Sequence, residues 1–140
     1  MAMVVDASAL FALVNRDDPE QERVRRLLEG ERPPLVTSEL ALAEADYLVL
    51  NRLGIGAELE FLQDLAGGLI SADCLTLEEI GLAHTAARRY RDLRLGLADC
   101  SLVVLAYRHQ TRRIATLNLR HFRAITPLQG GAFTLLPADA

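Results

Sequence analysis

Met3-Val4-Val5-Asp6-Ala7-Ser8-Ala9-Leu10 is the stretch on which the reading of this chain turns. Two β-branched valines behind Met3 predict the end of a short strand buried on both faces. The apolar run stops at a carboxylate, and Ser8 is placed to cap an apolar helix over Ala9 to Val14. In open parallel sheets, ligands bind at the carboxyl ends of the strands, where the chain turns into helices. Asp6 therefore has two readings, a ligand-binding acid or a capping group. Other acids reaching the same edge would decide between them.

Outward from that stretch, strands and helices alternate. Asp18-Pro19-Glu20 predicts a helix start, with Asp18 as cap and Pro19 in the first helical position, and Gly30 ends that helix. Pro33-Pro34 separates it from a second strand, Leu35-Val36-Thr37. Ser38 then caps a long helix from Glu39 to about Leu53, stopped by Gly54. Another helix covers Ala57 to Ala66, and Leu69-Ile70-Ser71-Ala72 predicts a third strand. Thr76-Leu77-Glu78-Glu79 is a capping box opening a helix to about Tyr90. Leu97 to His109 is apolar nearly all round, which predicts a central buried helix. Ile114-Ala115-Thr116-Leu117 and Phe133-Thr134-Leu135-Leu136 predict the fourth and fifth strands. This alternation predicts an α/β fold: one domain over residues 1–140, with a parallel sheet of four to five strands and helices on both faces.

Composition narrows the functions. A 140-residue chain of 51% hydrophobic residues has enough apolar side chains for a packed core, which excludes disorder. No apolar run approaches the ~18 residues a membrane span needs, and no basic-then-apolar leader is present. No membrane association and a cytoplasmic location are the expectations. The formal charge is −4, yet all 15 basic residues are arginine. That excludes P-loop, Schiff-base and lysine-base chemistry. Clusters at Arg23/Arg25/Arg26, Arg88/Arg89/Arg91/Arg94 and Arg112/Arg113/Arg120/Arg123 have the planar fork that suits phosphate. Solvated helix faces explain them equally well. Cys74 and Cys100 lack metal-ligand spacing and are expected to be buried free thiols.

Four polar residues stand among apolar neighbours. Asp6 ends the first strand, and Asn118 follows the fourth strand in the same way. Asp99 falls in the first turn of the central helix. Glu44 and Asp46 lie in Leu40-Ala41-Leu42-Ala43-Glu44-Ala45-Asp46-Tyr47-Leu48, and periodicity does not choose between them. Each has a plain structural explanation, as a cap, a complement to a helix dipole or an edge residue. Together they read as a site, because buried carboxylates repel one another unless a cation holds them. Oxygen ligands without nearby histidine or cysteine favour Mg²⁺, or Mn²⁺, over zinc.

Asp6 in Val-Val-Asp-Ala-Ser-Ala-Leu, Glu44 in Ala-Leu-Ala-Glu-Ala-Asp-Tyr-Leu, Asp99 in Gly-Leu-Ala-Asp-Cys-Ser-Leu and the segment Ile-Ala-Thr-Leu-Asn-Leu-Arg-His-Phe together resemble a PIN domain. More narrowly, the chain resembles the VapC-type ribonuclease toxins of toxin–antitoxin pairs, over nearly its whole length. The resemblance selects Glu44 over Asp46. It implies a Mg²⁺-dependent endoribonuclease, an RNA substrate, an inhibiting cognate antitoxin and a homodimer. On that reading Asp6, Asp99 and Glu44 would hold the metal and Asn118 would complete the site. Ser8 and Thr116 would bond the carboxylates or the phosphate, and Arg94 and Arg120 would hold flanking phosphates. The chain departs from the family pattern at Asn118, where a fourth Asp is more usual. The rival reading is accordingly a catalytically weakened PIN-like module that binds RNA or a partner. A haloacid-dehalogenase-type phosphatase also begins with a strand-end Asp, but it needs a second acid at the position of Ser8 and a lysine. A purely structural scaffold leaves the acids unexplained.

Overall fold

Met3, Val4 and Val5 are wholly buried, and they form the middle strand of a five-stranded sheet. The computed structural model describes residues 2–30 and 34–140. In chain order its elements are β1 (Met3–Val5), α1 (Ala7–Val14), α2 (Gln21–Gly30), β2 (Leu35–Ser38), α3 (Glu39–Leu53), α4 (Ile55–Ala66) and β3 (Ser71–Asp73). They continue with α5 (Leu77–Arg89), a 3-10 turn (Arg91–Leu93), α6 (Leu97–Arg108), β4 (Arg113–Ala115), α7 (Leu119–Ala124) and β5 (Thr134–Leu136). The strand order is β3-β2-β1-β4-β5, and all four pairings are parallel.

Alternate residues of a strand point to opposite faces, and β1 divides its side chains between two cores. Val4 packs with Val36, Ile114 and Leu135 against Leu102, Val103 and Leu105 of α6. Met3 and Val5 join Ala115 and Leu136 against α1, Val24 of α2, Val49 of α3 and Phe61 of α4. Helices thus cover both faces, as a buried parallel sheet requires. Every residue of α6 from Cys100 to Ala106 is buried.

The order of the strands fixes where a site can form. The chain moves outward from β1 through β2 to β3, then returns to the other side of β1 for β4 and β5. The crossovers therefore diverge between β1 and β4, and a crevice opens at their carboxyl ends. Register pairs Val5 with Ala115, so the next residues, Asp6 and Thr116, stand side by side at that crevice.

Several boundaries differ from the sequence expectation. Asp6, not Ser8, caps α1, its carboxylate accepting from the Ala7 N–H. Asp18 accepts from the Glu20 N–H in a turn, and the helix begins at Gln21 rather than Pro19. Helix α4 starts at Ile55, because Gly54 at φ +95° serves both as the stop of α3 and the start of α4. Strand β3 is shifted to Ser71–Asp73, and β4 ends at Ala115, so Thr116 and Leu117 lie beyond it. Helix α7 was not expected; its six residues are too short for a periodic signal. Cys100 is buried, but Cys74 is exposed, because it follows the edge strand β3. Pro33, expected to break the chain before β2, lies outside the described residues.

The capping box at α5 is formed in full: Thr76 accepts from the Glu79 N–H and Glu79 accepts from the Thr76 N–H. Arg108 also bonds Glu79, and this guanidinium holds the Glu79 carboxyl down at about 2. Thr76→Ala is expected to cost about 1 kcal/mol, lowering the melting temperature by roughly 2–4 °C. Thermal scans of the variant beside the parent check the shift.

Candidate active site

Asp6 is the best-held side chain at the crevice. Its Oδ1 accepts from the Ala7 N–H at 2.8 Å. Its Oδ2 accepts from the Ser8 hydroxyl at 2.7 Å and the Thr116 hydroxyl at 2.8 Å. The Ser8 oxygen in turn accepts from the Leu117 N–H, and the Thr116 oxygen from the Asn118 N–H, both at 2.9 Å. The turn after β4 is therefore stitched to the turn after β1 through two hydroxyls. Burial pushes the Asp6 carboxyl up; the two hydroxyls partly offset this, and the charge of Asp99 adds to the rise.

Asp99 comes from the first turn of α6. The N-termini of α3 and α6 are tied by the Ser38 and Ser101 hydroxyls, 2.7 Å apart and buried. Ser38 also caps α3 through the Ala41 N–H. This junction orients the two helices that carry Glu44 and Asp99. Glu44 is exposed, not sunk in the core as its apolar neighbours predicted, because α3 meets the crevice along its solvent edge. Its carboxyl is nonetheless pushed up, first by partial desolvation and then by the charges of Asp99 and Asp6. Asp6, Glu44 and Asp99 therefore share one electrostatic neighbourhood. Asp46 faces elsewhere: it contacts Glu58 of α4 and raises that carboxyl.

Asn118 caps α7, its Oδ1 accepting from the His121 N–H at 3.4 Å. The imidazole Nδ1 of His121 lies 3.0 Å from Asp99 Oδ2 and 3.0 Å from Asn118 Nδ2. A proton on Nδ1 bonds Asp99, and without it Nδ1 accepts from the amide. His121 thus joins the two residues, and the sequence reading missed it. The available signal was the spacing itself, an Asn cap followed three residues later by a side chain returning to it. Arg94 and Arg120, expected to flank the site, are both exposed, and neither makes a hydrogen bond or ion pair with the four polar site residues among those described. Arg94 sits in the left-handed conformation at φ 54°.

The donor set suits a hard divalent cation. It is carboxylate oxygen, it carries excess negative charge, and no arginine pairs with Asp6, Glu44 or Asp99 among the described residues. As placed, no three His, Cys, Asp or Glu side chains among the described residues are drawn close enough to enclose an ion.

A PIN domain model matches residues 3–126. The chain belongs to the PIN domain family. It is 42% identical over 135 residues to Ribonuclease VapC26 of Mycobacterium tuberculosis, covering 96% of this chain and 100% of that one. This PIN domain also aligns with the crystal structure of Mycobacterium tuberculosis VapC20, a toxin described as cleaving the sarcin–ricin loop, at TM-score 0.76 and 19% identity over 83% of this chain and 89% of that one. VapBC2 from Rickettsia felis, bound to a promoter DNA fragment, gives TM-score 0.70 at 14% identity over 96% and 98%. FitAcB from Neisseria gonorrhoeae gives 0.65 at 16% over 94% and 96%. These three likenesses concern the fold. The kinship that reaches beyond the fold is with the VapC26 ribonuclease.

Proposed function

We propose that this PIN domain is a divalent-cation-dependent endoribonuclease, the toxin of a toxin–antitoxin pair, and that it cuts RNA at the crevice between β1 and β4. The observation that carries the reading is the convergence of Asp6, Glu44 and Asp99 on one edge, where Asp99 raises the carboxyls of Asp6 and Glu44 and no arginine pairs with any of the three among the described residues. Identity of 42% across a whole relative named a ribonuclease supports it.

Asp6, Asp99 and Glu44 would hold Mg²⁺ or Mn²⁺, which supplies an acidified water and neutralises charge on the scissile phosphate. The protein's own part is positioning. Ser8 and Thr116 fix the Asp6 carboxylate, so it would hold the cation without reorganising. His121 does the same for Asp99. Glu44, open to solvent and with its carboxyl pushed up by partial desolvation and the charges of Asp99 and Asp6, would complete the shell through water and position the nucleophile. Arg94 and Arg120, exposed, would bind neighbouring phosphates. A cytoplasmic site of action fits an RNA substrate; no helix among the described residues is long and apolar enough to cross a membrane.

Two apolar faces are left for protein partners. One runs along α3 and α4, where Tyr47, Ile55 and Leu59 are 60% exposed or more; the other joins α5 and α6 through Leu77 and Leu97. A cognate antitoxin and a second copy of the chain would cover such surfaces.

Purified protein with Mg²⁺ or Mn²⁺ is expected to cleave RNA internally, and chelation should stop it. Failure to cleave any cellular RNA with either ion would overturn the reading. Asn118 favours the rival of a weakened binding module, since an amide brings no charge to the cation. Activity appearing only in Asn118→Asp would select that rival.

A further inference from the structure

Beside the acids, the same edge of the sheet has a depression that the cleavage chemistry leaves unused. Its volume is about 180 Å³. Thr116, Leu117 and Leu119, following β4, form one wall; Pro137 and Ala138, following β5, form another; Arg23 of α2 stands at the rim. Thr116 belongs to both places, because its hydroxyl donates to Asp6 Oδ2 at 2.8 Å. A nucleotide whose phosphate lies at Asp6 would therefore have its sugar and base one residue away from an apolar recess.

The rim carries an ion pair, Arg23 with Glu20, both of which line the depression. The Arg23 side chain is 56% exposed, pairs with Glu20 at 3.1 Å and reaches the Pro137 carbonyl at 3.4 Å. An exposed ion pair of this kind contributes little to stability, so the guanidinium is free to turn to a phosphate or lie over a base. Leu119, the first residue of α7, leaves 37% of its surface exposed at this spot. The recess is too small for a helix of a protein partner, whose diameter is about 10–12 Å, but its scale suits a single ring system.

We propose that the depression is a nucleoside subsite. It seats the base and sugar of the RNA residue adjoining the scissile phosphate against Leu117, Leu119 and Pro137, and Arg23 binds the next phosphate along the strand. The inference rests on the ribonuclease reading and deepens it by assigning residues that set sequence preference.

The test reads binding apart from cleavage. Isotope-labelled, metal-free protein is titrated with AMP, CMP, GMP and UMP, and with inorganic phosphate as a control for the phosphate alone. At least one nucleotide should shift the amides of Leu117, Leu119 and Ala138, and inorganic phosphate should not. In RNA cleavage, Leu119→Ala and Arg23→Ala should each raise KM at least fivefold and flatten the preference among sites, with kcat and Mn²⁺ affinity unchanged. Nucleotide shifts confined to the surroundings of Asp6 and Asp99, shifts nowhere, or equal shifts with inorganic phosphate overturn the subsite even if RNA is cut. Shifts in the recess of a protein that cuts no RNA keep the subsite and overturn the ribonuclease reading instead.

Discussion

Asp6→Asn is expected to lower RNA cleavage by at least about a thousandfold, some 4 kcal/mol of transition-state stabilisation, while making the metal-free protein more stable. The two effects share a cause. Asp6 is 3% exposed, and its charged form is opposed by burial and by Asp99. Asparagine removes the charge and keeps the shape. Its carbonyl can still accept from the Ala7 N–H, and its amide can donate to the hydroxyls of Ser8 and Thr116, which have lone pairs to accept. A gain of about 1 kcal/mol, roughly 2–4 °C, follows. Asp6→Ala separates charge from hydrogen bonding: it leaves the same donors unpaired at a buried position and should lose about 1–2 kcal/mol. Melting curves in EDTA, read beside cleavage of one RNA, check all three quantities. An Asp6→Asn protein that cuts like its parent would remove Asp6 from the chemistry. One that melts lower would mean that the hydrogen bonds outweigh the buried charge.

That prediction depends on a part of the molecule the sequence describes well. Strand β1, the acid at its end and the buried α6 are legible because an apolar run or an all-round apolar helix has few alternatives in a chain of this size. The co-location of Asp6 and Thr116 needs the β1–β4 register, which no local pattern carries. Glu44 and Asp46 illustrate the limit. Both have apolar neighbours because α3 packs on more than one side, toward the sheet and toward α4, so local polarity cannot say which acid faces the crevice. Tertiary packing decides, sending Asp46 to Glu58 and Glu44 to Asp6 and Asp99. Helix α7 is set by packing as well: buried Phe122 meets Phe133 edge-on at 6.3 Å between ring centres, anchoring six residues that propensity alone would not hold. His121 came into the site with that helix, and only its spacing from the Asn118 cap pointed to it.

Millimolar Mn²⁺ or Mg²⁺ is expected to raise the melting temperature, and to raise it more near pH 7.5 than near pH 5. Asp6 and Glu44 both have folded pKa values above their ordinary ones. Between the ordinary and the raised values the folded protein binds more protons than the unfolded chain, so metal-free stability falls as pH rises through that window. Glu79 and Asp139 act in the opposite sense, but lower: arginines hold both at about 2, and their stabilisation is lost only as pH falls below the ordinary carboxylate range. Metal-free protein should therefore be most stable just above that range. A cation replaces the protons on the acids, so its affinity must rise with pH. At a hundredfold excess over Kd the gain is about 2.7 kcal/mol, which for a domain of this size is roughly 5–10 °C. Scanning fluorimetry across pH, with and without EDTA, measures the difference directly. Asp99→Asn supplies the control, because it removes one of the three charges and should erase most of the shift at pH 7.5 while leaving the metal-free protein folded. Equal shifts in parent and variant would place the bound cation elsewhere on the surface, and no shift in the parent would take it out of the mechanism.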